Sequence, residues 1–481
     1  MSDPLQVDLC VIGAGSAGLS VAAGASQMGA SVVLVEKGLM GGDCLNTGCV
    51  PSKSLLASAH AAWVHRSSGP LGVVSREPEI DFTAVMAHVR GVVEAISPMD
   101  SVERYEGFGV TVLQGVAKFT GPQSVQVSLN NGGEQAVQAR RVVIATGSSP
   151  KVPGIPGLQD GPILTNETLF ALNEKPGHLL VLGGGPIGSE MAQAFRRLGV
   201  PVTVIDKDRV LNREDPELAA VAVASMARDG IEVRDAEGLE KVDWQDRGDG
   251  VHQPAFVYAD GTRIEGTHLL VAAGRAPSVY GLDLEKAGVT FSPQGIEVDA
   301  RLRTSNKKVF AIGDVAGGLQ FTHVAGYHAG VVIKNALFRI PAKADHSAIP
   351  RVTYTDPEVA QVGLTEAEAE AAGLTYQILR FAAAENDRAK AEAAEDGLIK
   401  VIVTPKGKIL GAGLACKGAG ELILPWVLAL QQGLKISAMA TVVAPYPTFS
   451  ELSKRAAGSW YVPKLFSEKT RRMVRFLARF G

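Results

Sequence analysis

One pattern restricts the fold of this chain more than any other, and it occurs twice. Residues 7–12 read as a short apolar strand that runs into Gly13-Ala14-Gly15-Ser16-Ala17-Gly18. A helix of small residues follows, then a strand over 32–35 that ends in Glu36. The same order recurs at 179–182, Gly183-Gly184-Gly185-Pro186-Ile187-Gly188, a helix through Leu198, and a strand over 202–205 that ends in Asp206. In a GxGxxG turn, the first glycine permits the tight bend, the second lets a pyrophosphate approach a helix N-terminus, and the third packs helix on strand. One such hexapeptide is weak evidence. Strand and helix context plus an acidic residue for ribose hydroxyls make it strong. The alternative is that the glycines serve only to turn the chain. Two units predict two bound dinucleotides.

At 481 residues the chain exceeds a single core, so several domains are expected. Residues 141–147, with Thr146 and Gly147 at the end, read as the strand closing the first unit. Pro150, Pro153 and Pro156 follow as a linker. Residues 269–275, including Gly274, close the second unit in the same way. A strand over 309–312 then ends in Gly313-Asp314, ahead of a helix from about Thr322. From Pro350 the phosphate glycines disappear. Segments 352–362, 398–403 and 409–414 read as strands, and 420–433 and 437–441 as helices, giving an α+β domain suited to an oligomer interface. The expected divisions are 1–150, 151–275, 276–345, 346–465 and a tail over 466–481.

Chemistry enters at Gly41-Gly42-Asp43-Cys44-Leu45-Asn46-Thr47-Gly48-Cys49-Val50-Pro51-Ser52-Lys53. A tight turn can bring two cysteines at this spacing within bonding reach. Pro51 suits the first turn of a helix, which puts Cys49 at a helix N-terminus where the dipole favours a thiolate. Lys53 adds a cation one turn on. The pattern reads as a redox-active disulfide, with a structural staple as the alternative. Only four cysteines in the chain argue against a disulfide scaffold and for a reducing compartment. Cys10 and Cys416 read as buried apolar residues, and no metal-ligand spacing is present.

Net charge is −3, so no global field recruits nucleic acid. Met1-Ser2-Asp3-Pro4 lacks the basic start of a signal peptide, and the apolar run over 422–430 is too short to span a bilayer. A cytoplasmic location is expected.

The cysteine segment, the two fingerprints and Ala311-Ile312-Gly313-Asp314 occur in an order that resembles the pyridine nucleotide-disulfide oxidoreductases. This is the flavoenzyme family of dihydrolipoyl dehydrogenase, glutathione reductase and mercuric reductase, and the resemblance covers about residues 5–455. It implies an α/β fold with two Rossmann-like dinucleotide-binding domains, for FAD and NAD(P), and a C-terminal α+β dimerisation domain. It also implies FAD on Gly13, Gly15, Gly18 and Glu36, with Asp314 at the ribityl or phosphate region. NAD(H), or NADP(H), would lie on Gly183, Gly185, Gly188 and Asp206. Electrons would pass from nicotinamide through flavin to Cys44–Cys49, with Cys49 proximal to the flavin and Cys44 outward. Lys53 would lie near the flavin, paired with Glu190, and the active site would be shared across a homodimer. At Asp206 a carboxylate suits a free 2′-hydroxyl and repels a 2′-phosphate, so NADH preference is expected, softened by Lys207 and Arg209.

The sequence departs from the family at one important place. The family's His-Pro-Thr segment, with a glutamate beyond, aligns with Tyr446-Pro447-Thr448 and Glu451. Tyrosine, with a reference pKa of about 10, is a poor base for thiol–disulfide exchange. Mercuric reductase is the relative associated with tyrosine here, but no cysteine follows Cys416, so its terminal metal-delivering pair is missing. Disulfide, metal-ion and quinone acceptors all stay open, as does a non-catalytic flavin redox sensor. His323 could assist negative charge on the reduced flavin or simply pack nearby, and His328 reads as a core or interface residue. Residues 469–480 form a basic amphipathic pattern. It can dock on the enzyme's own surface, or contact an anionic membrane or a partner protein.

Overall fold

The computed structural model describes residues 3–246 and 252–480. Two compact units emerge, one of residues 1–58, 80–182 and 238–345, the other of 59–79, 183–237 and 346–481.

The first unit is built on a parallel sheet. Leu5–Ile12 lies between Val32–Glu36 and Glu134–Ile144, with Val110–Gly121 beyond the former and Val309–Ala311 beyond the latter. Val110–Gly121 and Glu134–Ile144 outrun the parallel sheet, and Ser124–Leu129 joins their extensions as an antiparallel meander. Both faces of the parallel strands are covered, which is why they read as unbroken apolar runs. Leu9, Val11, Leu34 and Val143 pack under helix residues Leu19, Val21 and Ala329. Their neighbours Cys10, Ile12, Val33 and Ile144 face the other way, onto Phe119, Val125 and Val127 of the meander. Gly13, Glu36, Thr146, Gly147 and Asp314 therefore all lie at or just beyond carboxyl ends of parallel strands, the side on which open α/β sheets bind ligands. In the same unit Leu179–Leu182 pairs in parallel with His268–Val271.

The second unit holds the helix Pro186–Arg197, the parallel pair Val202–Asp206 and Glu232–Asp235, and a five-stranded antiparallel sheet. Its strand order is Arg351–Thr353, Glu358–Gly363, Ile409–Cys416, Leu398–Val403, Gln377–Ala382. Helices Leu424–Gln431 and Glu451–Ser459 close its core through Trp426, whose indole N–H donates to Ser453 Oγ at 2.9 Å.

Three expected elements are broken. The strand over 352–362 is two strands, because Pro357 has no N–H for the ladder. The helix over 420–433 is two, Ala419–Leu422 and Leu424–Gln431, with Pro425 in the first turn of the latter. The strand over 269–275 stops at Val271. Gly274, at φ +116°, turns the chain into a new strand, Arg275–Pro277, which pairs with Ser148–Pro150. Part of the expected linker is thus strand.

Candidate active site

The two fingerprints repeat almost atom for atom. Gly13 N donates to Val35 O and Gly183 N to Ile205 O, both at 2.8 Å. Leu19 N donates to Gly15 O and Ser189 N to Gly185 O, both at 2.9 Å. Glu36 accepts from Ala14 N at 2.7 Å, and Asp206 accepts from Gly184 N at 2.5 Å. Each helix has glycine at its N-cap with no side-chain acceptor, so its first-turn amides are left for an anion. These are features a dinucleotide pyrophosphate needs.

The cysteine loop is pressed onto the first of these turns. Gly41 N donates to Ala14 O at 3.0 Å. A Cβ on Gly42 would sit 2.6 Å from Gly15 Cα, so only glycine allows this approach. A short helix, Gly42–Asn46, carries Cys44, and the helix Cys49–Ser67 starts on the second cysteine, as its proline foretells. Both thiols are free, and Cys44 donates a hydrogen bond to Cys49. That bond, then the Thr322 hydroxyl 3.4 Å from the sulfur, then the charge of Lys53, bring Cys49 down to about 6. Cys44 moves strongly up, because it is the donor of the pair and because it is half-buried. The pair is therefore polarised as Cys49 thiolate and Cys44 thiol. Thr322 opens the helix Thr322–Ala336, so two helix N-termini converge on one sulfur.

Four polar residues that carried no sequence signal complete this region. Arg275 donates from Nε to Ser148 Oγ at 2.7 Å and from Nη2 to Ser148 O at 2.9 Å. It pairs with Asp43 at 3.1 Å. Ser148 Oγ donates onward to Asp314 at 2.6 Å, and burial raises the Asp314 carboxyl above its ordinary range. Asn166 bridges Asp43 Oδ1 at 2.8 Å and Thr47 O at 3.2 Å.

The remaining expected residues fall as follows. Thr146 donates to Ser278 O at 2.9 Å, and Gly313 N donates to the buried His328 Nδ1 at 3.2 Å. His323 is exposed and stacked on Phe321. Cys10 and Cys416 are fully buried, each pushed up to about 12 by burial. Glu190, in the second unit, is 5% exposed and accepts from Tyr354 N at 3.0 Å. Tyr446 is 69% exposed and donates to Asp387 at 3.0 Å. That bond, with the Asp387 charge, raises the phenol above its ordinary value. Glu451 opens the helix Glu451–Ser459.

Sequence comparison decides the family. The profile described as pyridine nucleotide-disulphide oxidoreductase matches residues 7–329, and that of its dimerisation domain matches 349–457. This chain belongs to the pyridine nucleotide-disulphide oxidoreductase family. The mercuric reductase of Streptomyces lividans is 36% identical over 453 residues, 94% of this chain and 95% of that protein. The dihydrolipoyl dehydrogenase of Staphylococcus aureus is 34% identical over 460 residues, 94% and 96% of the two chains. Among solved structures, LpdA of Mycobacterium tuberculosis superposes with a TM-score of 0.86 at 28% identity. The Cu(II) complex of the HOCl-induced flavoprotein disulfide reductase RclA of Escherichia coli gives 0.83 at 27%. Each covers 94% of this chain and 99% of its own. The chain is accordingly an FAD-dependent NAD(P)H oxidoreductase of the disulfide reductase type, and both phosphate turns fit their dinucleotides.

Proposed function

We propose that this oxidoreductase takes a reduced nicotinamide nucleotide as donor and discharges at Cys44–Cys49 to a thiophilic metal ion in preference to a disulfide such as lipoamide. The observation that carries this reading is Tyr446, held as a hydrogen-bond donor by Asp387 where a disulfide reductase needs a base. The mercuric reductase relatives and the Cu(II) complex of RclA support it.

Gly13, Gly15, Gly18, Glu36, Lys53, Thr146, Gly147, Gly313 and Asp314 would hold FAD. Gly183, Gly185, Gly188 and Asp206 would hold the nicotinamide nucleotide. FAD, when bound, supplies the two-electron relay between nucleotide and disulfide. Reduction of the Cys44–Cys49 bond by a hydride equivalent leaves one thiolate and one thiol, the state the protein polarises. Cys49, backed by Thr322 and Lys53, holds the charge, and Cys44 presents the thiol. An ion that binds both sulfurs displaces the Cys44 proton. In the homodimer that the dimerisation domain supports, Tyr446 and Glu451 would come from the partner subunit.

The test is NADH oxidation with Hg(II) or Cu(II), lipoamide and a soluble quinone in parallel. Fastest turnover with a metal ion is expected. Faster lipoamide turnover would overturn the reading, and faster quinone turnover would move the acceptor to that class. Slow turnover with all three would favour the redox sensor.

Donor choice follows from Asp206. Its carboxylate also accepts from Asp208 N at 2.9 Å, whereas Arg209 is spent on Glu214 O at 3.1 Å and Lys207 faces Asp208. An uncompensated carboxylate should favour NADH over NADPH in kcat/KM by at least about tenfold, or about 1.4 kcal/mol. An NADPH advantage would remove the assignment.

The tail forms the helix Glu468–Leu477, beyond the family's dimerisation profile. Met473, Phe476 and Leu477 share one face, each more than half exposed, and Arg471, Arg475 and Arg479 share the opposite one. Among the described residues no helix is long and apolar enough to cross a membrane. We propose that this helix lies on an anionic lipid surface, to which each arginine would add about 1 kcal/mol. Full-length protein is expected to co-sediment with phosphatidylglycerol vesicles and a form lacking 468–481 to stay in solution. Equal sedimentation of both would exclude it.

A further inference from the structure

The residue before Cys44 is a carboxylate within a hydrogen-bonded network that spans distant parts of the first unit. Asp43 Oδ1 accepts from the Thr47 hydroxyl at 2.6 Å and from Asn166 Nδ2 at 2.8 Å, and Oδ2 meets Arg275 Nη2 at 3.1 Å. Gly48 leaves the space for this. A Cβ there would stand 2.9 Å from Asp43 O and 3.2 Å from its Oδ2. Arg275 is 13% exposed and anchored by Ser148, whose hydroxyl binds Asp314. The redox loop is thus tied, through two charges and one hydroxyl, to the Gly313-Asp314 turn.

We infer that Asp43 and Arg275 are a paired positioning device that sets the thiolate–thiol balance of Cys44 and Cys49, the carboxylate opposing charge on sulfur and the guanidinium neutralising the carboxylate. The inference rests on the reading of these cysteines as the redox pair. The charged and polar groups facing the sulfurs support it. Lys53 and the Thr322 hydroxyl favour the Cys49 thiolate, and Asp43 disfavours charge on both cysteines. Asp314 meets Arg275 Nε at 3.9 Å, so loss of the guanidinium leaves two carboxylates without their shared cation. Thr47 and Asn166 still donate to Asp43 Oδ1 when Arg275 is lost, so the carboxylate keeps its place.

The two halves of such a device act with opposite signs, which a scaffold role cannot imitate. In Asp43→Asn the opposing charge goes and the guanidinium stays, so the Cys49 thiolate should form at lower pH. In Arg275→Gln the carboxylate stands alone, so it should form at higher pH. Shifts of about half a pH unit or more are expected for each. Arg275→Lys keeps the charge and should stay near the wild type.

The experiment uses the holoenzyme, reduced with dithiothreitol. Iodoacetamide labelling rates at Cys49 are followed across pH by peptide mass spectrometry, and reoxidised samples are checked for the Cys44–Cys49 disulfide. Opposite shifts in the asparagine and glutamine variants support the inference. Shifts in the same direction, or none, overturn it while the redox reading stands. A wild type that never closes the disulfide would overturn both.

Discussion

Cys44→Ser and Cys49→Ser variants are each expected to lose metal-ion and disulfide turnover by about three orders of magnitude or more, the scale seen when one member of a reacting pair is removed. The loss has different causes. Cys44→Ser keeps the Cys49 sulfur beside Thr322, with a hydroxyl that can still donate to its thiolate, but removes the outward sulfur that closes the disulfide. Cys49→Ser leaves a single half-buried thiol with no partner to close a disulfide. Steady-state NADH oxidation checks this, with an artificial dye as control, since a dye needs neither sulfur. If either serine variant kept wild-type rates with Hg(II) or Cu(II), the acceptor would not be discharging the cysteine pair.

Tyr446→His is expected to raise lipoamide turnover by about tenfold to a hundredfold, the lower part of the range for a positioned acid–base group. Asp387, which now accepts the phenol proton at 3.0 Å, can accept an imidazole N–H instead and fix the ring. The gain should carry a pH dependence centred near the histidine value of about 6.5, absent from the wild type. Metal-ion turnover should gain nothing. Unchanged lipoamide rates would show that the tyrosine does not limit exchange.

The parts of this site that were legible in the sequence are those whose partners lie close along the chain. Each fingerprint is a continuous stretch with its acid eighteen positions past the last glycine, and each folds as read, down to the backbone bonds of Gly13 and Gly183. Pro51 placed the start of the Cys49 helix correctly. Thr322, by contrast, reaches Cys49 across 273 positions, and Asn166 reaches Asp43 across 123. A lone threonine, serine or asparagine has many local uses, so nothing in the string marks these. Arg275 and Asp43 are the instructive case. The aspartate stands inside the cysteine motif itself, yet its meaning depends on an arginine brought back by the Arg275–Pro277 strand against Ser148–Pro150. The broken strand at Pro357 was a different kind of miss, because a proline inside an apolar run is itself a warning.

The central claim is that electrons from the nucleotide come to rest on Cys44 and Cys49. Anaerobic addition of one equivalent of NADH to the oxidised holoenzyme, followed by quenching with iodoacetamide and peptide mass spectrometry, tests it directly. The account predicts that the flavin returns to its oxidised spectrum with a long-wavelength thiolate band before the quench, and that both cysteines are then labelled. A bleached flavin with Cys44 and Cys49 still joined would contradict it.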